Sequence, residues 1–287
     1  MTSPDDTFAV PGADGLAVKG DLYLPRGISA PPLVVGLHGF KGFKDWGFFP
    51  WLGRTLADAG LCVALINFSH CGIERPGDRF DRLDLFEKDT WGKRLADVLA
   101  VLGAAQEAKL TTKAAPNPAR LGLMGHSMGG GVALLTAAKD GRVRSVVTLA
   151  GVARATRFDG PDLRDQLKAF GHVKVSNART GQEMRVGQSY FEELDNNPAA
   201  FDVCAAAAQV TLPWLLIHGG DDESVPLEEA HELLDHANKN AIQGENVKLL
   251  TLDGTGHTFG AGHPFGFPSA HLEQAAAAAC AHFLRTL

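Results

Sequence analysis

Apolar and polar positions along this chain fall into two alternating rhythms. Leu33-Val34-Val35-Gly36-Leu37 is continuously apolar, the pattern of a strand covered on both faces. Leu61 to Ile66, Arg120 to Met124, Val143 to Leu149, Pro213 to Ile217 and Val247 to Leu252 repeat it. Leu16 to Leu24 instead alternates and stops at Pro25, as a half-buried antiparallel strand does. Between these runs the spacing turns helical. Phe49 to Ala59 ends at Gly60, a suitable residue just past a helix C-terminus. Asp89 to Ala108 carries Leu95, Val98, Leu99 and Leu102 as one stripe. Met128 to Lys139, Leu227 to Asn238 and Ala270 to Leu287 complete the helices. Strand and helix alternating in this way predict an α/β fold: a mostly parallel central sheet with helices on both faces. Ligands and chemistry are then expected in the turns beyond the strand C-termini.

One stretch interrupts the alternation. Gly151 to Ala208 is longer and more polar, with Gly160-Pro161 and Asn196-Asn197-Pro198 as breaks. It falls between two core strands, so residues 1–287 are expected to form one domain with a small inserted cap at about 151–208. Val173 to Val186 reads as a small hairpin inside that cap.

Composition narrows the function classes. The chain has 287 residues, 45% hydrophobic and 21% charged, enough to bury a sizeable core. A net charge of −6 argues against nucleic acid and anionic membrane surfaces as partners. Met1 to Asp6 is acidic and polar, and no apolar run approaches the ~18 residues of a membrane span. Cys62, Cys71, Cys204 and Cys280 are scattered without a C-x-x-C pair, so a disulfide framework is not expected. The expected location is the cytoplasm, with a small-molecule substrate as partner and room for a homodimer.

The candidate chemistry centres on Gly125-His126-Ser127-Met128-Gly129, between a predicted strand and a predicted helix. A serine on so tight a turn needs small neighbours two places either side, and the turn pushes its hydroxyl out at the sheet end. This is the G-x-S-x-G nucleophile elbow. A serine nucleophile also needs a base, a carboxylate to orient that base, and donors for the oxyanion. His257, in Asp253-Gly254-Thr255-Gly256-His257, follows the strand Val247 to Leu252 and is the candidate base. His263 is its competitor, but it lies further from the strand and precedes Pro264. Asp221, Asp222 and Glu223 follow the strand ending at Ile217 and offer the carboxylate. The oxyanion donors are the amides of Met128, at a helix start, and Phe40, in His38-Gly39-Phe40 beyond the strand ending at Leu37. His38 and His126 read as structural.

Other sites find less support. Eleven histidines lack ligand spacing such as H-E-x-x-H, so no metal is expected. Gly129-Gly130-Gly131 is not followed by G-K-[ST], and no G-x-G-x-x-G fingerprint occurs, so no cofactor is expected either.

The ordered set, Ser127 in G-H-S-M-G, the acid turn H-G-G-D-D-E-S-V-P and His257 in G-T-G-H, resembles the α/β-hydrolase fold superfamily over nearly the whole chain. Gly20-Asp21-Leu22-Tyr23-Leu24-Pro25 and His38-Gly39-Phe40-Lys41-Gly42 are similar to the dienelactone hydrolase, acylaminoacyl-peptidase and feruloyl esterase-like branches. The resemblance to H-G-x-x-D-x-x-V-P singles out Asp222 as the acid. It implies a serine hydrolase acting on an ester-like acyl bond through an acyl-enzyme. Thioester or small-peptide hydrolysis by the same residues, or a non-catalytic binding protein on this fold, are the alternatives. Asn67-Phe68-Ser69-His70-Cys71-Gly72-Ile73 replaces the D-x-R-G-x-G-x-S turn of many relatives, which leaves branch and substrate open. Cys71 is read there as a bystander. Phe40, Phe43, Trp46, Phe48, Phe49 and Trp51 are candidates for an apolar acyl or aryl pocket, with core packing expected for at least half. Lys41 and Lys44, which could attract a substrate carboxylate, read as a solvated loop face.

Overall fold

The computed structural model describes residues 3–75, 77–158, 160–239 and 246–287. Its centre is an eight-stranded sheet in the order β1-β2-β4-β3-β5-β6-β9-β10. The strands are β1 (Asp6–Pro11), β2 (Ala17–Tyr23), β3 (Pro32–Leu37), β4 (Cys62–Asn67), β5 (Asn117–His126), β6 (Val143–Leu149), β9 (Trp214–Gly219) and β10 (Val247–Leu252). β1 and β2 are antiparallel and the six others run parallel. β1 was not anticipated. Asp6, Phe8 and Val10 alternate with Thr7, Ala9 and Pro11 on a sheet edge, a short pattern that the acidic start obscures.

The continuously apolar runs are explained by burial on both faces. Along β3, Leu33, Val35 and Leu37 enter one core, while Val34 enters the other. Along β4, Cys62, Ala64 and Ile66 divide in the same way from Val63 and Leu65. One face is covered by α1 (Phe49–Asp58) and α9 (Ala270–Thr286). The other carries α3 (Trp91–Gln106), α4 (Met128–Ala137) and α8 (Leu227–Lys239), with the short α2 (Leu83–Phe86) before α3. α4 is buried from Met128 to Thr136, as a helix apolar all round must be. Among the described residues no helix is long and apolar enough to cross a membrane.

The stripe expected on α3 is corrected. Leu99 is 44% exposed, while Arg94, Asp97, Val98, Val101 and Leu102 are buried. Two charged residues take part of the inward face because each finds partners there. Asp97 accepts from Ala13 N at 2.8 Å and from Ser69 N and Oγ at 2.7 and 2.8 Å. Arg94 donates twice to Asp89, at 2.9 and 2.5 Å.

The polar stretch after β6 holds α5 (Pro161–Phe170), β7 (His172–Asn177), β8 (Gln182–Gly187), α6 (Gln188–Asn196) and α7 (Val203–Ala207). β7 and β8 pair antiparallel as a separate two-stranded sheet, the hairpin expected over Val173 to Val186. Glu193 of α6 anchors this region to the main body. Its carboxylate accepts from Thr90 Oγ1 and Gly92 N, both at 2.9 Å, at the N-terminal end of α3.

Buried histidines make stability depend on pH. Burial pushes His38 and His126 down to about 3 and His282 down to about 4, from an ordinary 6.5. The unfolded chain therefore takes up three protons as pH falls through 6.5, while the folded chain takes none until about pH 4. Stability present above pH 6.5 is lost as pH falls, at about 1.4 kcal/mol per pH unit for each histidine. Asp21 and Asp97, raised by burial, oppose this only in the carboxylate range. Urea midpoints are expected to fall steadily from pH 7 to pH 5; a flat profile would contradict neutral burial of these rings.

Candidate active site

The strand order reverses at β3: β4 lies on one side of it and β5 on the other. The C-terminal ends of β3 and β5 therefore flank the crevice where such sheets bind ligands. A cavity of about 730 Å³ lies there, lined by Gly39, Phe40, Lys41 and Gly42 after β3 and by His126 and Ser127 at the end of β5. His257, Thr258 and His263, beyond β10, complete that side.

Ser127 joins β5 to α4 with φ 57° and ψ −122°, a strained backbone for a residue with a side chain. Close packing holds it there. A Cβ on Gly125 would meet the Gly129 carbonyl oxygen, and a Cβ on Gly129 would meet the carbonyl of Leu37. The requirement for small residues on both sides of the turn thus has a backbone cause, the approach of α4 to β5 at Gly125 and to β3 at Gly129.

His257 stands on the loop after β10. Its Nδ1 donates to Asp222 Oδ2 at 2.8 Å, which leaves Nε2 free to act toward the cavity. The Asp222 side chain is fully buried in the turn after β9, and its Oδ1 accepts from Ser224 N and Val225 N at 2.9 Å. Burial pushes the carboxyl up, but His257 and these amides outweigh it and hold it below its ordinary value. Asp221 and Glu223 are exposed. Parallel register brings the two turns together, with Thr251 beside His218 and Leu252 beside Gly219.

His126 supports this loop. Its Nε2 donates to the His257 carbonyl oxygen at 2.9 Å, and the two ring centroids are 4.7 Å apart. Burial keeps it neutral, so it adds no charge beside His257. His263 reaches the cavity wall, but its Nδ1 accepts from Gly47 N at 2.8 Å. It stacks on Trp46 and meets Phe43 edge-on, so its role is packing.

The Phe40 and Met128 amides sit on the segments after β3 and β5, which approach each other at Gly39 and Ser127. Among the described residues neither is spent on a backbone carbonyl. Gly39 lets the first segment approach, since a Cβ there would lie 2.8 Å from Ser127 Cβ. Ser127, Asp222 and His257 all lie within residues 46–284, the stretch of the sequence that matches the model of the prolyl oligopeptidase family.

The chain belongs to the prolyl oligopeptidase family. An uncharacterised 31.7 kDa protein of the traX-finO intergenic region of Escherichia coli is 24% identical over 254 residues, 78% of this chain and 83% of that one. The 2,6-dihydropseudooxynicotine hydrolase of Paenarthrobacter nicotinovorans is 25% identical over 237 residues, 83% of this chain and 55% of its own. Among solved structures, ferulic acid-bound Est1E from Butyrivibrio proteoclasticus superposes with a TM-score of 0.69 at 21% identity, covering 96% and 98% of the two chains. A puromycin-hydrolysing peptidase from Mycobacterium tuberculosis gives 0.68 at 17% identity, over 99% of this chain and 40% of that one. These structures share the α/β-hydrolase fold.

In this member of the family several surroundings of the site were not legible beforehand. Of the six loop aromatics, Phe40, Trp46 and Phe49 line the cavity. Phe43 and Phe48 are core residues, and Trp51 packs against Phe265. Lys44 is turned away, donating to Asp21 at 2.6 Å and to Asp45 at 2.7 Å. Lys41 lines the cavity, a correction to its reading as a solvated loop residue. Cys71 is buried, and burial pushes its thiol up to about 12, leaving it inert. Among the described residues, the donor atoms of Cys204, Glu232 and His236 come within 4.8 Å of one another, away from this cavity. Arg154 already pairs with Glu232 at 2.6 Å, and burial pushes the Cys204 thiol up to about 12, both unfavourable to an ion.

Arg94 is a further support that periodicity concealed. It is 1% exposed, lies 4.7 Å over the Phe68 ring, and reaches the carbonyls of His38 and Gly39 at 3.4 and 3.5 Å. It thereby braces the turn that carries the Phe40 amide. Arg94→Met is expected to destabilise the fold by about 3–5 kcal/mol in urea titrations, because Asp89 is left buried and uncompensated. The double variant with Asp89→Leu should recover most of that loss.

Proposed function

We propose that this chain is a serine hydrolase cleaving an ester-like acyl bond of a small apolar or aromatic substrate through an acyl-enzyme. The observation that carries the reading is the 2.8 Å bond from His257 to a fully buried Asp222, on a cavity wall shared with strained Ser127. In this scheme the substrate carbonyl enters the cavity beside Ser127 Oγ. His257 Nε2 takes the hydroxyl proton as Oγ attacks, and Asp222 stabilises the imidazolium that forms. The Phe40 and Met128 amides hold the oxyanion, aided by the positive end of α4. His257 then passes its proton to the leaving oxygen. Water, activated by the same histidine, releases the acid and restores Ser127.

Phe40, Trp46 and Phe49 would supply the apolar walls. The ferulic acid in Est1E is aromatic, and walls of this kind suit an acyl or aryl group. Peptide hydrolysis remains a second reading, favoured by the likeness to the uncharacterised peptidase YuxL of Bacillus subtilis, 25% identical over 261 residues. That likeness covers 88% of this chain and 35% of the relative.

p-Nitrophenyl butyrate should give a stoichiometric burst followed by turnover, and a fluorophosphonate should label the chain. Both signals should vanish in Ser127→Ala. A wild-type chain that shows neither would leave a binding protein as the reading. A panel of esters, thioesters and peptide anilides then ranks the bond classes by kcat/KM.

A further inference from the structure

Three residues of the cavity wall have no part in the acyl-transfer scheme: Lys41, Asn177 and Arg179. All three present hydrogen-bond donors, and two lie at the tip of the β7–β8 hairpin. Asn177 is 6% exposed; its Oδ1 accepts from Arg179 N at 3.2 Å, and its Nδ2 has no partner among the described residues. The Arg179 guanidinium lies 5.3 Å over the Phe43 ring. Its Nη1 donates to the Asp78 carbonyl at 2.6 Å, and its Nη2 is buried without a partner. Lys41 Nζ donates to the Ser176 carbonyl at 3.0 Å, which ties the hairpin to the oxyanion loop.

Unpaired buried N–H groups are costly and uncommon. Here no existing bond has to break for these two to meet an acceptor. The charge balance gives the sign of that acceptor. Asp78, half exposed, lies 3.3 Å from Arg179, and Asp45 is taken by Lys44. Asp222 is bonded to His257 and fully buried. Burial and the Arg179 charge push His263 down, so it is neutral at pH 7. The wall therefore carries two cations against one solvated aspartate.

We propose that the hairpin tip forms a carboxylate subsite, so that the preferred substrate is an ester bearing an ionised carboxylate on its acyl or leaving group. Arg179 and Asn177 supply the directional bonds to its oxygens, and the Lys41 ammonium adds attraction. The proposal rests on the serine-hydrolase reading for turnover, but its binding component does not.

Two pairs of esters test it. Mono-p-nitrophenyl glutarate is compared with p-nitrophenyl butyrate, and 4-butyryloxybenzoate with its methyl ester. In the wild type the anionic member of at least one pair should have the higher kcat/KM. Arg179→Gln should lower that ratio by about 10- to 100-fold, the worth of a charge-assisted bond, and Arg179→Lys should retain part of it. Ratios unchanged by Arg179→Gln in both pairs would overturn the proposal. Benzoate and benzamide provide a measurement free of folding effects and of turnover. Calorimetric binding to Ser127→Ala should favour benzoate, with affinity falling as salt rises. Benzoate binding no better than benzamide overturns the subsite even if esters are hydrolysed. Benzoate preference in a chain that hydrolyses no ester would keep the subsite and sink the hydrolase reading.

Discussion

His257→Ala is expected to lower kcat/KM for p-nitrophenyl butyrate by about 10⁴- to 10⁶-fold, with a modest fall in the urea midpoint because buried Asp222 keeps the Ser224 and Val225 amides but loses its Oδ2 partner. The histidine side chain is 21% exposed on a loop, so its loss falls mainly on chemistry. Without it no group takes the Ser127 proton. Asp222→Asn should follow at about 10⁴-fold, because an amide at that position favours the wrong tautomer of the ring. His263→Ala is the informative contrast. Its Nδ1 is occupied by Gly47 N, so rates should stay within about tenfold of wild type, with any loss in KM. Loss of turnover in His263→Ala with survival in His257→Ala would reverse the assignment of the base.

Gly129→Ala should be nearly as damaging, by a different route. The added Cβ would strike the Leu37 carbonyl and lie 2.8 Å from the His38 carbonyl. Both are backbone atoms at the end of a central strand, so neither can retreat without moving β3 or the oxyanion turn. The expected cost is about 3 kcal/mol or more, above the usual range for an extra methyl in a core. Fluorophosphonate labelling should fall as well, because relief of the clash shifts α4 and with it the Ser127 turn. Gly141→Ala is the control: a Cβ there meets nothing within 4 Å, and the urea midpoint should move by less than about 0.5 kcal/mol. Equal effects at both positions would refute the close-approach account.

Much of the fold was legible because both faces of a parallel sheet must be apolar. β3, β4 and β6 each announce themselves by runs that no loop would carry. The elbow was legible because its pattern is short and part of its constraint is local: a Cβ on Gly125 would strike the Gly129 carbonyl four residues on. Phe40, Met128, Asp222 and His257 could be nominated because each follows a strand at the same end of the sheet. The edge strand β1 was missed because its alternation spans only six residues. Leu99 was misplaced because helical periodicity cannot know that Arg94 reaches the carbonyls of His38 and Gly39 and that Asp97 is held by Ala13 and Ser69.

The sequence by itself determined the layered α/β architecture, the strained serine turn and the order of its candidate partners, since each rests on contacts between neighbours in the chain or on a strand's need for burial. The tertiary structure alone decided the environment of that serine. It buried the Asp222 carboxylate against His257, sent Lys44 to Asp21, and brought Lys41, Asn177 and Arg179 to one cavity wall. Those outcomes depend on which charges find partners between segments 23 to 135 residues apart, and no local pattern encodes that pairing.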